Sequence, residues 1–443
     1  MLISVFTPTH NVSRLDKAYA SLREQAHGDW EWVIVPNHAA PAEQARVEEH
    51  ARSYRDPRVV VRPYPPRNQL THMDDGPLIG ALKRFACEAC TGELLVELDH
   101  DDWLLPHALA RLAREHEARG AGFYYSDAII ANEGGASTMF DTDCGWSYYP
   151  YKYEGTDYLV AHSFAVSPRS LAEIFFAPNH VRCWQREAYW LAGGHSGKLG
   201  VADDHELLCR TYLSGCEMAL IPEPLYYYLQ HDANSFVRHN EQVQATQQRV
   251  MNSYLHALVR EWCRRNSLLM IDLGGAHNCP RELGFKALDR HGDVDYRCDI
   301  FHMPFTHGEV GCFRAVDFLE HFPPGDGSGP DVTRLMNLLY YMLADRGWLL
   351  AESPSVVAPD GTVGAGAFQD PTHKSYWCEN SFWYFTDKDF ARFVPNIACR
   401  FQAARLWTDH PSEWHQAHRV PYVCCDLMAV KDTATPVPGG MRI

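Results

Sequence analysis

The segment GELLVELDHDDWLLP sets apolar, strand-forming residues directly before Asp99, His100, Asp101 and Asp102. Carboxylates gathered at a strand's end can hold Mg2+ or Mn2+, and a cation held there can neutralise a bound diphosphate. The same residues also suit an Asp-rich turn that caps the following helix. A second run, MIDLGGAHNCPRELGFKALD, joins a strand ending in Asp272 to the pair Gly274 and Gly275, and then to a second strand ending in Asp289. Glycines let backbone approach a ligand, and an acid at the second strand's end can hold ribose hydroxyls, as in dinucleotide sites. Cys87 and Cys90 form one CxxC, but no second pair stands at zinc-site spacing and the surrounding pattern is helical.

The elements that must position these residues read as α/β. The chain opens with LISVFTP, a polar turn, a helix near Arg14 to Gln25, and WEWVIVP. A helix from Pro41 to Arg52 leads into VVVRPYP, and one from Leu78 to Ala89 leads into ELLVELD. Apolar strand runs alternating with amphipathic helices signal a parallel sheet, with ligands at the carboxyl ends of its strands. The strand FYYSDAII, an aromatic stretch from Trp146 to Tyr153 and a helix from Asp203 to Ser214 continue the pattern. From Leu268 it starts again: LLMIDL, GFKALD, FRAVDFL, a helix from Val332 to Leu343, and GWLLAESP. The spacing predicts one domain over 1–240, a helical linker over 241–265 and a second domain over 266–443.

A chain of 443 residues exceeds what one hydrophobic core usually spans, and 46% hydrophobic residues suffice for two. The formal net charge of −16 repels phosphate backbones, and no Lys/Arg run interleaved with aromatics offsets it, which disfavours nucleic acid without excluding it. The opening MLISVFTPTH has no basic leader, and no stretch approaches about 18 uninterrupted apolar residues, so a cytoplasmic, soluble protein is expected. Fourteen cysteines scattered singly through apolar segments are expected to be reduced thiols.

Several motifs in order, FTPTHN, GALKRFACEACTGELLVELDHDDWLLP, CWQREAYWLAGGHSGKLGVADDHELLCR and PEPLYYYLQHDANS, resemble family 2 glycosyltransferases of the GT-A fold over residues 1 to 240. The resemblance implies an inverting transfer of sugar from a nucleotide-sugar to a hydroxyl acceptor on a glycan, glycolipid or protein, with Mn2+ or Mg2+ as cofactor. It makes Asp101 the direct metal ligand, Asp99 the contact to ribose or metal-bound water, and His231 a late metal or diphosphate contact. It places Thr7 and Pro8 under the nucleotide base, and Lys83 and Arg84 as cations facing base or diphosphate. Asp204, in ADDHELL, matches the catalytic base, with Asp203 orienting the acceptor; a simple helix cap is the competing reading. The chain departs from the family at Asn37, where an aspartate commonly contacts the base. An amide still offers a donor and an acceptor to a uracil edge, so a UDP-sugar is the expected donor. Trp184 and the stretch 146–153 are candidate stacking surfaces for the acceptor, or else core.

The second half, with CDIFHMPF and FRAVDFLEHFP after the Gly pair, resembles class I S-adenosylmethionine-dependent methyltransferases over roughly residues 266–400, with a Rossmann-like fold. The resemblance makes Gly274 and Gly275 the methionine-side loop, Asp289 the ribose acid and Asp299 the adenine-side contact, with Asp317, Glu320 and His321 facing substrate. A third glycine is missing, and the interval from Asp272 to Asp289 is too short for a full helix, whose N-terminus would help bind S-adenosylmethionine. GAFQDPTHKSYWCENSFWYFT, with His373, has no assigned chemistry: His373 belongs to a site or anchors a loop. Other readings stand beside the first: a saccharide methyltransferase whose first domain grips sugar, a carbohydrate-binding scaffold, and a glycosyltransferase acting on hydroxylated DNA bases.

Overall fold

The computed structural model describes residues 1–37, 41–64, 78–173, 178–232 and 234–440. They divide into two compact units, Met1–Leu258 and Val259–Ile443. The division falls within the 26-residue helix Asn240–Arg265.

The first unit runs β1 (Ile3–Thr9), α1 (Leu15–Arg23), β2 (Trp30–Pro36), α2 (Pro41–Ser53), β3 (Val59–Val61), α3 (Ile79–Ala89), β4 (Leu94–Glu97), β5 (Trp103–Leu104), α4 (Ala108–Arg119) and β6 (Phe123–Asn132). It continues with β7 (Tyr148–Tyr153), β8 (Thr156–Ala161), α5 (Pro168–Ala172), β9 (Arg182–Gln185), α6 (Arg186–Leu191), α7 (Asp203–Leu213), β10 (Met218–Gln230), α8 (Ser235–Arg238) and α9 (Asn240–Arg265). Ten strands form one mixed sheet whose main path is β3-β2-β1-β4-β9-β6-β10-β5. Every residue of ISVFTPT is buried, as expected of a central strand covered on both faces. β1 pairs in parallel with β2 on one side and β4 on the other. The order of the parallel strands therefore reverses at β1/β4, the place where open α/β sheets bind ligands beyond their carboxyl ends.

The turn after β4 folds back as β5, which pairs antiparallel with β10 at Tyr226 and Tyr227. β10 carries Pro222 and Pro224, and its register against β6 shifts between Ile221 and Tyr226 because proline supplies no ladder donor. α4 stops at Gly120, whose φ of 62° is the left-handed conformation that closes a helix with a 5→1 bond, here to His116 O.

The second unit contains β11 (Leu269–Leu273), β12 (Lys286–Asp289), β13 (Tyr296–Arg297), β14 (Val310–Val316), α10 (Val332–Met342), β15 (Leu343–Pro354), α11 (Glu379–Thr386), α12 (Lys388–Ala391), β16 (Phe401–Asp409), α13 (Glu413–Ala417) and β17 (Tyr422–Ala429). The sheet order is β13-β12-β11-β14-β15-β17-β16, parallel through β15 and antiparallel beyond it. Its order reverses at β11/β14, a second switch point. Between β11 and β12 lies only the 3-10 turn Arg281–Leu283, as the short interval predicted. All fourteen cysteines are free, and both cysteines of the CxxC are buried. Among the described residues, no helix is long and apolar enough to cross a membrane.

Gly80 tests how tightly α3 is held. A Cβ there would run into the backbone carbonyl oxygen of Ser196 and come within 3.2 Å of Asp203 Cβ. Alanine would gain about 1 kcal/mol of helix propensity, but overpacking against rigid backbone typically costs about 1–3 kcal/mol. Gly80→Ala is expected to lower the denaturation midpoint, whereas Gly28→Ala, with open space around its Cβ position, leaves it near wild type. Equal midpoints for the two variants would show that α3 is free to shift.

Candidate functional site

Glu97 ends β4 fully buried, so its charge has to be matched inside the protein. Lys83, on the buried face of α3, places Nζ 2.7 Å from Glu97 Oε1 and 3.4 Å from Asp203 Oδ2. Arg182, at the start of β9, pairs with Asp204 and lies 3.9 Å from Glu97 Oε1. His195 Nε2 stands 3.6 Å from Asp203 Oδ2, and its Nδ1 is 2.9 Å from the Tyr189 hydroxyl. Asp203 and Asp204 occupy the first turn of α7, where the helix dipole favours negative charge. The N-cap residue of α7 is Ala202, so Asp204 is not the cap. Burial pushes the Asp203 carboxyl up to about 6, against the pull of Lys83. Burial acts on Asp204 in the same sense, but Arg182 and Lys83 together outweigh it and hold Asp204 below the usual carboxylate range. Of the two acids, Asp204 therefore holds a proton less tightly than Asp203, and it is also the more open, with 12% side-chain exposure against 4%.

Past the strand end, Asp101 Oδ2 meets His231 Nε2 at 2.8 Å. β10 delivers His231 to this position, and the backbone N–H of His231 donates to Asn234 Oδ1 at 2.5 Å. Burial, with help from Glu97 and Asp101 and against Lys83, pushes Asp99 up to about 7. Asp102 departs from the expected metal cluster. Its Oδ2 accepts from the Tyr226 hydroxyl at 2.9 Å and its Oδ1 from the Leu229 N–H at 2.8 Å, so both oxygens fasten β10 to the end of β4. His10 and His100 meet edge to face at 4.7 Å; neither of them has a role assigned from the sequence.

The other expected positions lie as follows. Thr7 is buried, with its hydroxyl donating to Leu98 O and accepting from Trp32 Nε1, so its side chain is committed to the core. Asn37 is half-buried at the end of β2, with its N–H on Thr9 O at 2.6 Å. Lys83 faces the buried acids and is not an exposed cation. Arg84 reaches Gly193 O at 2.5 Å and lies over the Trp190 ring. Trp184 is fully buried, with its indole N–H on Thr211 Oγ1, and packs in the core where no acceptor can stack. Trp146 likewise packs against Phe140 and Phe164. Glu97 and Arg182 were missed, although a charged residue inside an otherwise apolar strand run was the available signal in both.

In the second unit, Gly274 adopts φ 73° beneath the Phe318 ring, and a Cβ on Gly275 would fall 2.7 Å from Asp272 Oδ2. Both positions thus need glycine for the turn itself. Asp289 Oδ1 accepts from His291 N at 3.1 Å, while Asp299 caps Phe301 N and pairs with Arg290. Asp317 accepts from the Tyr422 hydroxyl at 2.7 Å.

Residues 4–168 match the model of the family described as glycosyl transferase family 2. The O-antigen biosynthesis protein RfbC of Myxococcus xanthus is 29% identical over 243 residues, which are 54% of this chain and 16% of that protein. The chain thus spans about a sixth of that curated relative's length. Among solved structures, S. aureus TarS 1-349 in complex with UDP-GlcNAc is 13% identical with a TM-score of 0.40, over 60% of this chain and 73% of that one. The mannosyltransferase PcManGT from Pyrobaculum calidifontis, in complex with GDP-Man and Mn2+, is 15% identical with a TM-score of 0.36, over 60% and 64% of the respective chains.

The buried ion cluster makes a testable demand. Arg182→Met strands Asp204 and Glu97 without their guanidinium and is expected to cost about 3–5 kcal/mol at neutral pH. The stabilisation from a depressed carboxylate is present above the unfolded value near 4 and is lost as pH falls through the lower folded value. The deficit of the variant should therefore shrink as acid protonates the stranded groups. Denaturant titrations at neutral and acid pH measure it, and a deficit that is absent or independent of pH would contradict the pairing.

Proposed function

We propose that this chain, whose residues 4–168 match the glycosyl transferase family 2 model and which is accordingly a glycosyltransferase, moves a sugar from a nucleotide-sugar to an acceptor hydroxyl with inversion. One observation carries the reading: Asp101 and His231 converge to 2.8 Å just past the carboxyl end of β4, on the switch point of the sheet. A GT-A arrangement, with the donor lying across β1 and β4, is consistent with that placement.

A carboxylate and an imidazole that already converge, inside a cluster with more acids than bases, fit Mn2+ or Mg2+. Asp101 and His231 would hold the ion, with Asp99 reaching it through water or reaching the ribose. The ion would neutralise the diphosphate leaving group. The Asn37 amide at the end of β2 suits a uracil edge, which favours a UDP-sugar, and the backbone of Thr7 and Pro8 lies along the same edge of the sheet. Asp204 takes the acceptor's proton, and Asp203 orients the acceptor from one residue away. Lys83 and Arg182 keep Asp204 ionised. The RfbC relative is named for O-antigen biosynthesis, which supports a surface glycan or its lipid-linked precursor as the acceptor.

The second unit supports a methyltransferase-like sheet, because its order reverses at β11/β14 with Gly274 and Gly275 just past β11. A competent S-adenosylmethionine site also needs a helix N-terminus after β11, and only a 3-10 turn follows. Its role in this reading is accessory.

Three measurements test these assignments. Asp101→Ala should abolish Mn2+-dependent binding and turnover of UDP-sugars in a nucleotide-release screen; near-normal turnover in the folded variant would remove the metal assignment. Asp204→Asn should keep donor affinity while transfer falls by about 10²–10⁴-fold; equal losses of both would move Asp204 into nucleotide binding. Calorimetric titration of the full chain with S-adenosylmethionine should show weak binding or none. Low-micromolar affinity abolished by Asp289→Ala would instead restore methyl transfer as an activity.

A further inference from the structure

Glu320, just past the carboxyl end of β14, is buried with 1% side-chain exposure, yet its Oε1 has no hydrogen-bond partner. Its Oε2 accepts from Ser353 Oγ at 2.9 Å. A carboxylate oxygen left bare in the interior costs free energy unless something fills the place beside it. Two imidazoles face it. His373 Nε2 lies 4.0 Å from Oε1, and the rings of His321 and His373 stand edge to face with centroids 5.3 Å apart. One donor atom from each of Glu320, His321 and His373 lies within 4.8 Å of the others, and among the described residues this is the one such His/Cys/Asp/Glu group.

The surroundings fix both rings for ligation. His373 Nδ1 donates to Ala367 O at 2.8 Å, which makes Nε2 its lone-pair nitrogen. The Thr372 hydroxyl spends its proton on Asp370 Oδ1 at 2.6 Å and so accepts from His321 Nδ1 at 3.2 Å, which leaves His321 Nε2 unprotonated. A ligating imidazole whose other nitrogen donates to a carbonyl or hydroxyl is the usual outer arrangement of a metal site. The N–H groups of Lys374 and Ser375 both donate to Glu320 O, at 2.8 and 3.0 Å, and tie the loop bearing His373 to Glu320.

We propose that Glu320, His321 and His373 form a divalent transition-metal site in the second unit, separate from the donor site of the first. Two imidazoles and one carboxylate match the three-ligand set of zinc sites that keep a position open for water or a ligand oxygen. Donors at Zn2+ distances of about 2.0–2.1 Å stand about 3.3 Å apart in tetrahedral geometry, so closure asks for small side-chain movements. Glu320 and His321 follow the carboxyl end of β14, one of the two strands of the β11/β14 switch point, and a Zn2+ held there would act as a Lewis acid on an oxygen-bearing small ligand.

The test uses the full chain, stripped with a chelator and titrated with Co2+ as a spectroscopic stand-in for Zn2+. Visible d–d absorption should saturate at one equivalent and be displaced by Zn2+. It should persist in His231→Ala, which removes a proposed ligand of the other site, and vanish in His373→Ala and in the closer isostere His373→Gln, with folding checked by circular dichroism. Thr372→Ala, which removes only the acceptor behind His321, should weaken Co2+ by about 10- to 100-fold. A wild-type chain without this absorption, or a signal lost in His231→Ala and kept in both His373 variants, would overturn the site. The first result leaves the sugar-transfer reading untouched, and the second would place the Co2+ on the proposed ligand of the first unit instead.

Discussion

The charge of Glu97 cannot leave the interior, because β4 is buried along its whole length and ends there. That constraint explains why a lysine from α3 and an arginine from β9 both point inward, and why α7 begins with two acids facing them. Two stretches of chain far apart in sequence, α3 with β4 and β9 with α7, are held by one set of opposite charges in a low-dielectric place. There, a missing partner costs far more than a surface pair would contribute. The cluster also sets the two aspartates of α7 apart in proton affinity, which is how neighbouring carboxyl groups acquire different tasks.

A second fastening works through hydrogen bonds to a single carboxyl group. Asp102 takes both a phenol and a backbone N–H from β10, so the last turn of that strand is pinned beside the end of β4. The stagger introduced by Pro222 and Pro224 lets β10 follow β6 and still reach β5. The partners thus differ within a single tetrapeptide: Asp102 fastens β10 to the end of β4, while Asp101 meets His231.

Much of the architecture was legible in the sequence because buried parallel strands are spelled as apolar runs: ISVFTPT, WEWVIVP and LMIDL all appear as strands, and the helices begin and end within a few residues of their expected bounds. The resemblance assigned Asp101 and His231 to one ion, and the two side chains meet at 2.8 Å. What a linear reading lacks is the partner. Lys83 looked like a cation for a nucleotide because Glu97 and Asp203 are its neighbours only in space. Trp184 looked like a stacking surface because a core indole and an exposed one are written alike. His373 had no assigned chemistry because the loop that carries it meets Glu320 through backbone hydrogen bonds that no motif encodes.

The pairing of Asp101 with His231 spans 130 residues. The cost of closing so long a loop has to be met before the contact returns any free energy, which makes it a late event in folding. During synthesis, β1 through β4 leave the ribosome well before His231 does, so the acidic strand end spends that interval without its imidazole. The cleft is therefore completed from the far end of the unit, and a chain halted before β10 would display the aspartates with nothing to pin them.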